Sequence, residues 1–346
     1  ILVGGGGIKG MFHNIASVSN LFAAWNEFKK GKRKKKDIMH FGHFLEDNIF
    51  VLHDELVSRK YKHAAYQGFY VYDPKRRHIH KASVRDRVLH QAIFRILYPI
   101  FDRHFIYDSY SSRKHRGTHI GVVRLTGACR KATRNWRMPA YALKCDIKNF
   151  FDSVDHVVLY SLISKKIFDP ETLKLIRELL TSFEKEKGKG LPLGNVTSQL
   201  FANIYLNELD QFVKHTLKAK YYFRYCDDFV IVHQNRYLLV GMALEIKNFL
   251  CTTLLLKLHP DKIEIRKIRQ GIDFLGYVVL SHAIVLRTRT KRRIFQKMRK
   301  RFFEYKGGLL SLQSYNQSLQ SYLGVFSHAK TYEMLNKFKN LFSLSQ

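Results

Sequence analysis

The chain lacks what small secreted or metal-stapled domains depend on. Its four cysteines, Cys129, Cys145, Cys226 and Cys251, include no Cys-x-x-Cys pair. Neither a zinc knuckle nor a disulfide framework is indicated, and a reducing compartment fits. Six prolines and no low-complexity stretch in 346 residues argue against long linkers. No apolar run approaches the ~18 residues of a membrane span, and no internal repeat is visible. The 17 histidines show no metal-binding spacing. His40 and His43, like His78 and His80, read as surface or phosphate-facing groups. Acidic residues are scarce, 28 Asp+Glu against 60 Lys+Arg, which leaves a formal charge of +32. An excess of that size repels itself unless an anion lies beside it, and a phosphate backbone is the commonest such partner, ahead of anionic lipid.

What is present excludes a disordered basic tail. Hydrophobic residues make up 46% of the chain and aromatics 14%, with 26 Phe and 19 Tyr, enough for two or three packed subdomains. Ile1 to Gly10, with no initiating Met and a run of four glycines, is read as a fragment start or an added remnant and set aside. Lys29 to Lys36 place seven cations in eight positions. No helix face buries that, so residues 1–40 are expected as a basic extension ending in a solvated loop or arm.

Apolar residues at helical spacing predict a helix from about Phe41 to Arg59. Phe69 to Tyr72 and His78 to His80 read as two short strands around a basic turn, and a second helix is expected from Asp86 to Leu97, stopping at Pro99. Leu143, Cys145 and Ile147 alternate with polar neighbours, the pattern of a strand with one buried face. Helix is expected again from Ser153 to Lys166, then a glycine-rich loop over 188–194 and a long helix from Thr197 to Lys218. Tyr222 to Val232 reads as a hairpin with an acidic tip. A helix over 242–253 and strands near Ile263 and Phe274 to Val279 complete an α+β unit. Between Arg287 and Arg301, nine of fifteen positions are Lys or Arg, around an apolar stripe of Ile294, Phe295, Met298, Phe302 and Phe303. Such a helix can be merely solvated, or can lie along a phosphate backbone.

Against this charge, acidic residues set on apolar strands need a reason. Asp146 ends one strand, and Asp227-Asp228 tips the hairpin 81 residues later. Each has an ordinary structural use, in a turn or as a helix N-cap. Together they suit two Mg²⁺ ions ~4 Å apart that clamp the attacking and leaving oxygens of phosphoryl transfer. Asp152 and Asp155 fall past the strand, where capping the next helix is the expected role.

These residues carry a resemblance. Phe223-Arg224-Tyr225-Cys226-Asp227-Asp228 is similar to the Tyr-x-Asp-Asp box of reverse transcriptases. Tyr141 to Asp152 looks like their first metal-binding motif, and Gly190-Leu191-Pro192-Leu193-Gly194-Asn195-Val196-Thr197-Ser198-Gln199 like the template- and nucleotide-positioning motif between them. The resemblance spans about Leu45 to Leu335 and implies a right-hand polymerase: fingers over 41–140 with the start of the palm, an antiparallel-sheet palm over 141–280, and a basic helical thumb over 281–346. It implies Asp146, Asp227 and Asp228 as catalytic metal ligands together with the backbone carbonyl of Ile147, Asp228 being the more peripheral. Two Mg²⁺ ions are the implied cofactors, with Mn²⁺ as a substitute. Phe151 matches the steric gate that excludes a ribose 2′-hydroxyl. Lys75, Arg76 and Arg77 fall where fingers contact triphosphate, Arg77 first, with Arg85 or Arg87 next. Lys262 falls where a pyrophosphate-protonating lysine is expected. Gly271 to Tyr277 looks like a primer-gripping turn, so Gly276 and Tyr277 join Arg292, Arg293 and Lys297 as primer/template contacts.

The departures point to a subtype. Many reverse transcriptases read Gln-Gly and Ser-Pro where this chain has Leu193-Gly194 and Ser198-Gln199. Gly-Asn-x-x-Ser-Gln, and Ser321 to Ala329, look like the enzymes of diversity-generating retroelements. That resemblance implies an RNA template copied with errors at adenines, Leu193 as a fidelity determinant, and a small basic, oligomeric accessory protein. A cytoplasmic, bacterial or phage-encoded enzyme is implied, with no membrane, acting on dNTPs, template RNA and a cDNA/RNA duplex. Nothing after the thumb resembles a ribonuclease H or integrase, so any integration step is expected from other proteins. A phage-defence or retron-type enzyme, and a non-catalytic maturase-like RNA binder, remain as alternatives.

Overall fold

The computed structural model describes residues 10–72 and 76–343. Four helices open it, α1 (Met11–Ala16), α2 (Val18–Phe28), α3 (Lys36–His43) and α4 (Leu45–Val57). Strands β1 (Gln67–Val71) and β2 (Arg77–Lys81) precede helices α5 (Val84–Asp102) and α6 (Thr118–Ala132). Strand β3 (Tyr141–Asp146) leads into α7 (Phe150–Ser153), α8 (His156–Ser164), α9 (Pro170–Thr181) and α10 (Val196–Gln211), which ends in a π-helical turn. Then come β4 (Tyr221–Tyr225), β5 (Asp228–His233), α11 (Arg236–Thr253), β6 (Glu264–Lys267), β7 (Ile272–Phe274), β8 (Tyr277–Val279) and β9 (Ile284–Leu286). Three helices close it, α12 (Thr288–Lys306), α13 (Leu312–Ser327) and α14 (Tyr332–Phe342). The expected α+β class, with antiparallel sheets, is what the chain adopts.

Two compact units interleave along the chain. The first takes Ile1–Tyr107, Asp146–Thr216 and Glu245–Pro260, and the second takes Asp108–Cys145, Leu217–Leu244 and Asp261–Gln346. In the first, α5 packs against α2 and α10. Ser83 caps α5 by accepting from the Asp86 amide, and Val88, Leu89, Ile93, Leu97 and Phe101 bury one face. That face explains why α5 runs past Pro99 rather than stopping there. Burial of Tyr98 and Phe101 outweighs one hydrogen bond lost at proline. The helix expected over 41–59 is broken at Phe44 (φ −110°, ψ 42°) into α3 and α4.

The expected 1–40 extension is corrected by the fold. Phe12, Ile15, Leu21, Trp25, Phe28 and Ile38 are buried, so α1 to α3 belong to the core of the first unit. Only the charge run itself stays out, as a turn between α2 and α3. There Lys32 lies over the Phe28 ring at 4.2 Å. Asp37, at the start of α3, pairs with Lys81 and Arg87 at 2.7 and 2.8 Å, tying α3 to β2 and α5.

The second unit is built on a four-stranded sheet in the order β4-β5-β3-β6 and a three-stranded sheet β7-β8-β9. Helix α6, which the sequence reading left unassigned, packs on β4, β5 and β8. One apolar cluster runs from Val122, Leu125 and Phe223 through Phe274 and Tyr277 to Met298, Tyr315, Phe326 and Phe338. The basic helix α12 therefore shares a core with the sheets, through Ile294 and Met298. Phe303, expected in the same stripe, is 66% exposed.

Candidate active site

The acidic tip is a tight turn in the second unit. Tyr225 pairs with Asp228, so Cys226 and Asp227 form a two-residue connection. Tyr222, Phe223, Phe229, Val230, Ile231 and Val232 are all buried, so both faces of this strand pair lie inside the unit. Cys226 takes the left-handed conformation (φ 56°) that such hairpin turns require and that non-glycine residues seldom adopt. Arg224, wholly buried, braces the turn from beneath. Its Nη1 donates to the Cys226 carbonyl at 3.2 Å, and its backbone pairs with Asp108 and Tyr110, both at 3.0 Å. Burial, helped by the Asp227 carboxylate, pushes the Cys226 thiol up to about 12, so it stays neutral. The turn thus presents two adjacent half-buried carboxylates. Asp228 faces the Lys144 ammonium at 3.9 Å, and that ammonium also donates to the Asp273 carbonyl at 3.0 Å.

Asp146 is the last residue of β3, the strand beside β5 in the sheet order, and it opens the next stretch of the first unit. Its carbonyl accepts from the His259 amide, and the Lys148 amide donates to Lys257, both at 2.8 Å. These bonds flank the Ile147–Leu258 bridge, so the Ile147 carbonyl is not spent on that pairing. Asn149, at φ 46°, turns the chain into α7. Phe150 is buried there, while Phe151 is half-buried and packs edge-on against it at 5.3 Å. Asp155 caps α8 by accepting from the Val157 and Val158 amides, as expected.

The Gly190–Thr197 loop is tied down along its length within the first unit. The Gly190 amide donates to Val154 (2.8 Å) and the Leu191 amide to Phe151 (2.7 Å). The Leu193 carbonyl accepts from the His80 amide at 3.0 Å, and Asn195 Nδ2 donates to the His80 carbonyl at 3.4 Å. Gly194 sits at φ 112°, and a Cβ there would meet Ile79 at 3.1 Å. The structure therefore sets Leu193 and Gly194 beside β2, which also carries exposed Arg77, and ties Phe151 to the same loop through Leu191.

Two histidines missed from the sequence anchor this loop's far end. His90, on α5, bonds Thr197 through Nδ1 and His63 through Nε2, the latter at 3.1 Å. His63 Nδ1 lies 2.6 Å from the Ala64 carbonyl, so it must donate there. One proton order that satisfies every pair has Thr197 donating to His90, His90 to His63, and His63 to Ala64. Burial above all brings His90 down to about 3 and keeps it neutral. No spacing in the sequence links His63, His90 and Thr197. The partners meet only when α5 packs on α10.

A profile of the family described as reverse transcriptase (RNA-dependent DNA polymerase) matches residues 72–279. The chain belongs to the reverse transcriptase family. It is thereby placed among RNA-directed DNA polymerases, an enzyme class. It is similar to protein YkfC of Escherichia coli K12, 26% identical over 271 residues, which are 66% of this chain and 70% of YkfC. Group II intron-encoded protein LtrA of Lactococcus lactis is 34% identical over 142 residues, 39% of this chain but only 22% of LtrA. An apo telomerase structure from Candida tropicalis aligns over 69% of this chain and 60% of its own, at 12% identity and TM-score 0.48.

Reverse transcriptases in general use divalent metal ions. The oxygen donors of the Asp227-Asp228 turn suit a hard cation. Among the described residues, no three His, Cys, Asp or Glu side chains form a group that could hold a metal ion. Among the described residues no helix is long and apolar enough to cross a membrane.

Several expected contacts of this reverse transcriptase are corrected. Arg85 is committed inside the fold: Nη1 donates to Glu55 at 2.8 and 3.0 Å, Nη2 to Asp86 and the Lys62 carbonyl, and Nε to Asp86. Arg87 is likewise held by Asp37. Both guanidinia are thus engaged with carboxylates of the first unit. Tyr277 is 3% exposed, and its hydroxyl donates to the Val325 carbonyl at 3.1 Å, so its ring belongs to the core rather than to a primer. Gly276 stays in a turn at φ 86°. Lys75 lies outside the described residues. Lys262 ends a 3₁₀ turn after Pro260 and is half-buried. Arg292 and Arg293 are neighbours in α12 and so point about 100° apart, with Lys297 on the Arg293 side.

Proposed function

We propose that this chain makes cDNA from an RNA template at the Asp227-Asp228 turn, acting with Asp146. The observation that carries the reading is the paired-carboxylate turn braced by buried Arg224, in a chain of this family. Asp146 and Asp227 hold the ions, and Asp228, offset by Lys144, tunes their charge. Bound Mg²⁺ supplies charge neutralisation on the triphosphate and activation of the primer 3′-hydroxyl. Phe151 bars a 2′-hydroxyl, Arg77 meets the triphosphate from β2, and Arg293 and Lys297 meet the duplex backbone. Residues 41–140 serve as fingers, 141–280 as palm and 281–346 as thumb.

The finer reading is the error-prone enzyme of a diversity-generating retroelement, working in the cytoplasm with a small basic accessory protein. It is supported by Leu193, a side chain with no hydrogen-bonding group, where a Gln is common in the family. The bias toward adenine follows from the resemblance alone. The match to the intron-encoded protein LtrA favours a second reading, an RNA-binding role of intron type. Primer extension by the wild type separates the two, and Asp227→Ala tests the carboxylate assignment. Losing several kcal/mol of metal-borne stabilisation should cut primer extension about 10³-fold or more, with RNA binding and thermal unfolding unchanged. Extension at the wild-type rate would overturn the two-metal assignment.

A further inference from the structure

Helices α12 and α14 enclose a groove of about 710 Å³ within the second unit. Lys291, Arg292 and Arg299 line it from α12, Lys330 and Lys337 from the other wall, against one carboxylate, Glu333. Phe295 supplies apolar surface, held by edge-on packing against Phe338 at 5.3 Å. Tyr332, also lining the groove, is 77% exposed.

The cations of α12 fall on two faces. At about 100° per residue, Lys291, Arg292, Phe295 and Arg299 share one side. Arg289, Arg293, Lys297 and Lys300 share the other, with buried Ile294 and Met298 along one boundary between them. A single duplex cannot cover both sides. A single strand fits the groove. From Lys291 to Arg299 the wall rises about 12 Å, long enough to meet more than one phosphate of a strand. A cationic channel with an exposed ring is how single strands are held, phosphates on the cations and a base on the ring. An acidic peptide would use the cations but not Tyr332.

We propose that the α12–α14 groove is a track for a single strand of RNA, the template outside its copied duplex, distinct from the Arg293–Lys297 face. The proposal rests on the polymerase reading for the identity of the strand. Its test is a titration that needs no extension. A short labelled oligouridylate is bound to the full chain over a series of salt concentrations, with an RNA–DNA duplex and oligoglutamate as separate probes. The variant Arg299→Gln/Lys330→Gln/Lys337→Gln should flatten the oligouridylate plot of log affinity against log salt by about 2, at ~0.7 per phosphate contact. Duplex affinity should stay as in wild type. Tyr332→Ala should weaken oligouridylate about 5- to 150-fold, and Tyr332→Phe should restore it, which reads the groove even if the triple variant fails to fold. An unchanged slope, equal loss of duplex, failure of Phe to rescue, or oligoglutamate binding as tightly as oligouridylate would each overturn the proposal. If the polymerase reading alone were wrong, wild type would fail to extend a primer while this titration kept its outcome.

Discussion

The side-chain brace of the β4–β5 turn comes from two residues away in sequence, although the backbone of Arg224 also pairs with distant Asp108 and Tyr110, whereas the loop from Gly190 to Thr197 takes its brace from partners up to 115 residues away. Arg224 reaches a carbonyl two positions on. His90 reaches a hydroxyl 107 positions on. A local side-chain brace fixes the turn's own carbonyl as soon as the hairpin forms. Distant bracing makes the loop a reporter of how α5, α10 and β2 are packed.

The contrast can be broken first at the turn. Arg224→Ala leaves the Cys226 carbonyl unsatisfied and a cavity in place of a buried stem. The expected loss of stability is about 3–5 kcal/mol, read by urea unfolding. A loss under about 1 kcal/mol would mean that strand pairing alone holds the turn. At the loop, His90→Phe fills the same space but strands Thr197 and His63. It should cost about 2–3 kcal/mol and raise KM for dNTP more than it lowers kcat. The sign of its pH effect follows from linkage. Folded His90 stays neutral down to about 3, while the unfolded chain takes up a proton near the ordinary 6.5. The unfolded state therefore binds more protons between those values, and His90 makes stability fall as pH drops through that window. The Phe variant should lose that component of the slope, and an identical slope in both proteins would exclude His90 as its source.

The smallest effect sharpens the comparison at one contact. Leu193 is pinned by its carbonyl, so Leu193→Gln should keep the loop's path and add a hydrogen-bonding group. One such bond, about 0.5–1.5 kcal/mol, corresponds to about 2- to 13-fold fewer misincorporations. Sequencing cDNA from a defined template checks this, and an error spectrum matching wild type would free Leu193 from that role.

The same division governs what could be read from residue order. The hairpin at Tyr222–Val232 was legible because apolar strands and an acidic turn are adjacent in the chain, and so was the Asp155 cap. The interior was not. Asp86, which gathers Tyr61, Ser83 and Arg85, and His90 look like ordinary polar positions of an amphipathic helix until α5 is packed. The seven-cation run obscured the amphipathic helices on either side of it, because charge density says nothing about whether flanking Trp25 or Ile38 finds a core. Arg85 and Tyr277 were assigned to ligands by position in a motif, and three-dimensional partners claimed both.

The pushed-up thiol at Cys226 has a practical outcome. Alkylation and oxidation proceed through the thiolate, so the cysteine next to the two carboxylates resists both, as does buried Cys129, also pushed up to about 12. Cys145 is buried as well, which leaves Cys251 on α11 as the exposed one. A maleimide dye added to the native protein should therefore settle on α11, giving an optical handle on the molecule with the acidic turn chemically untouched.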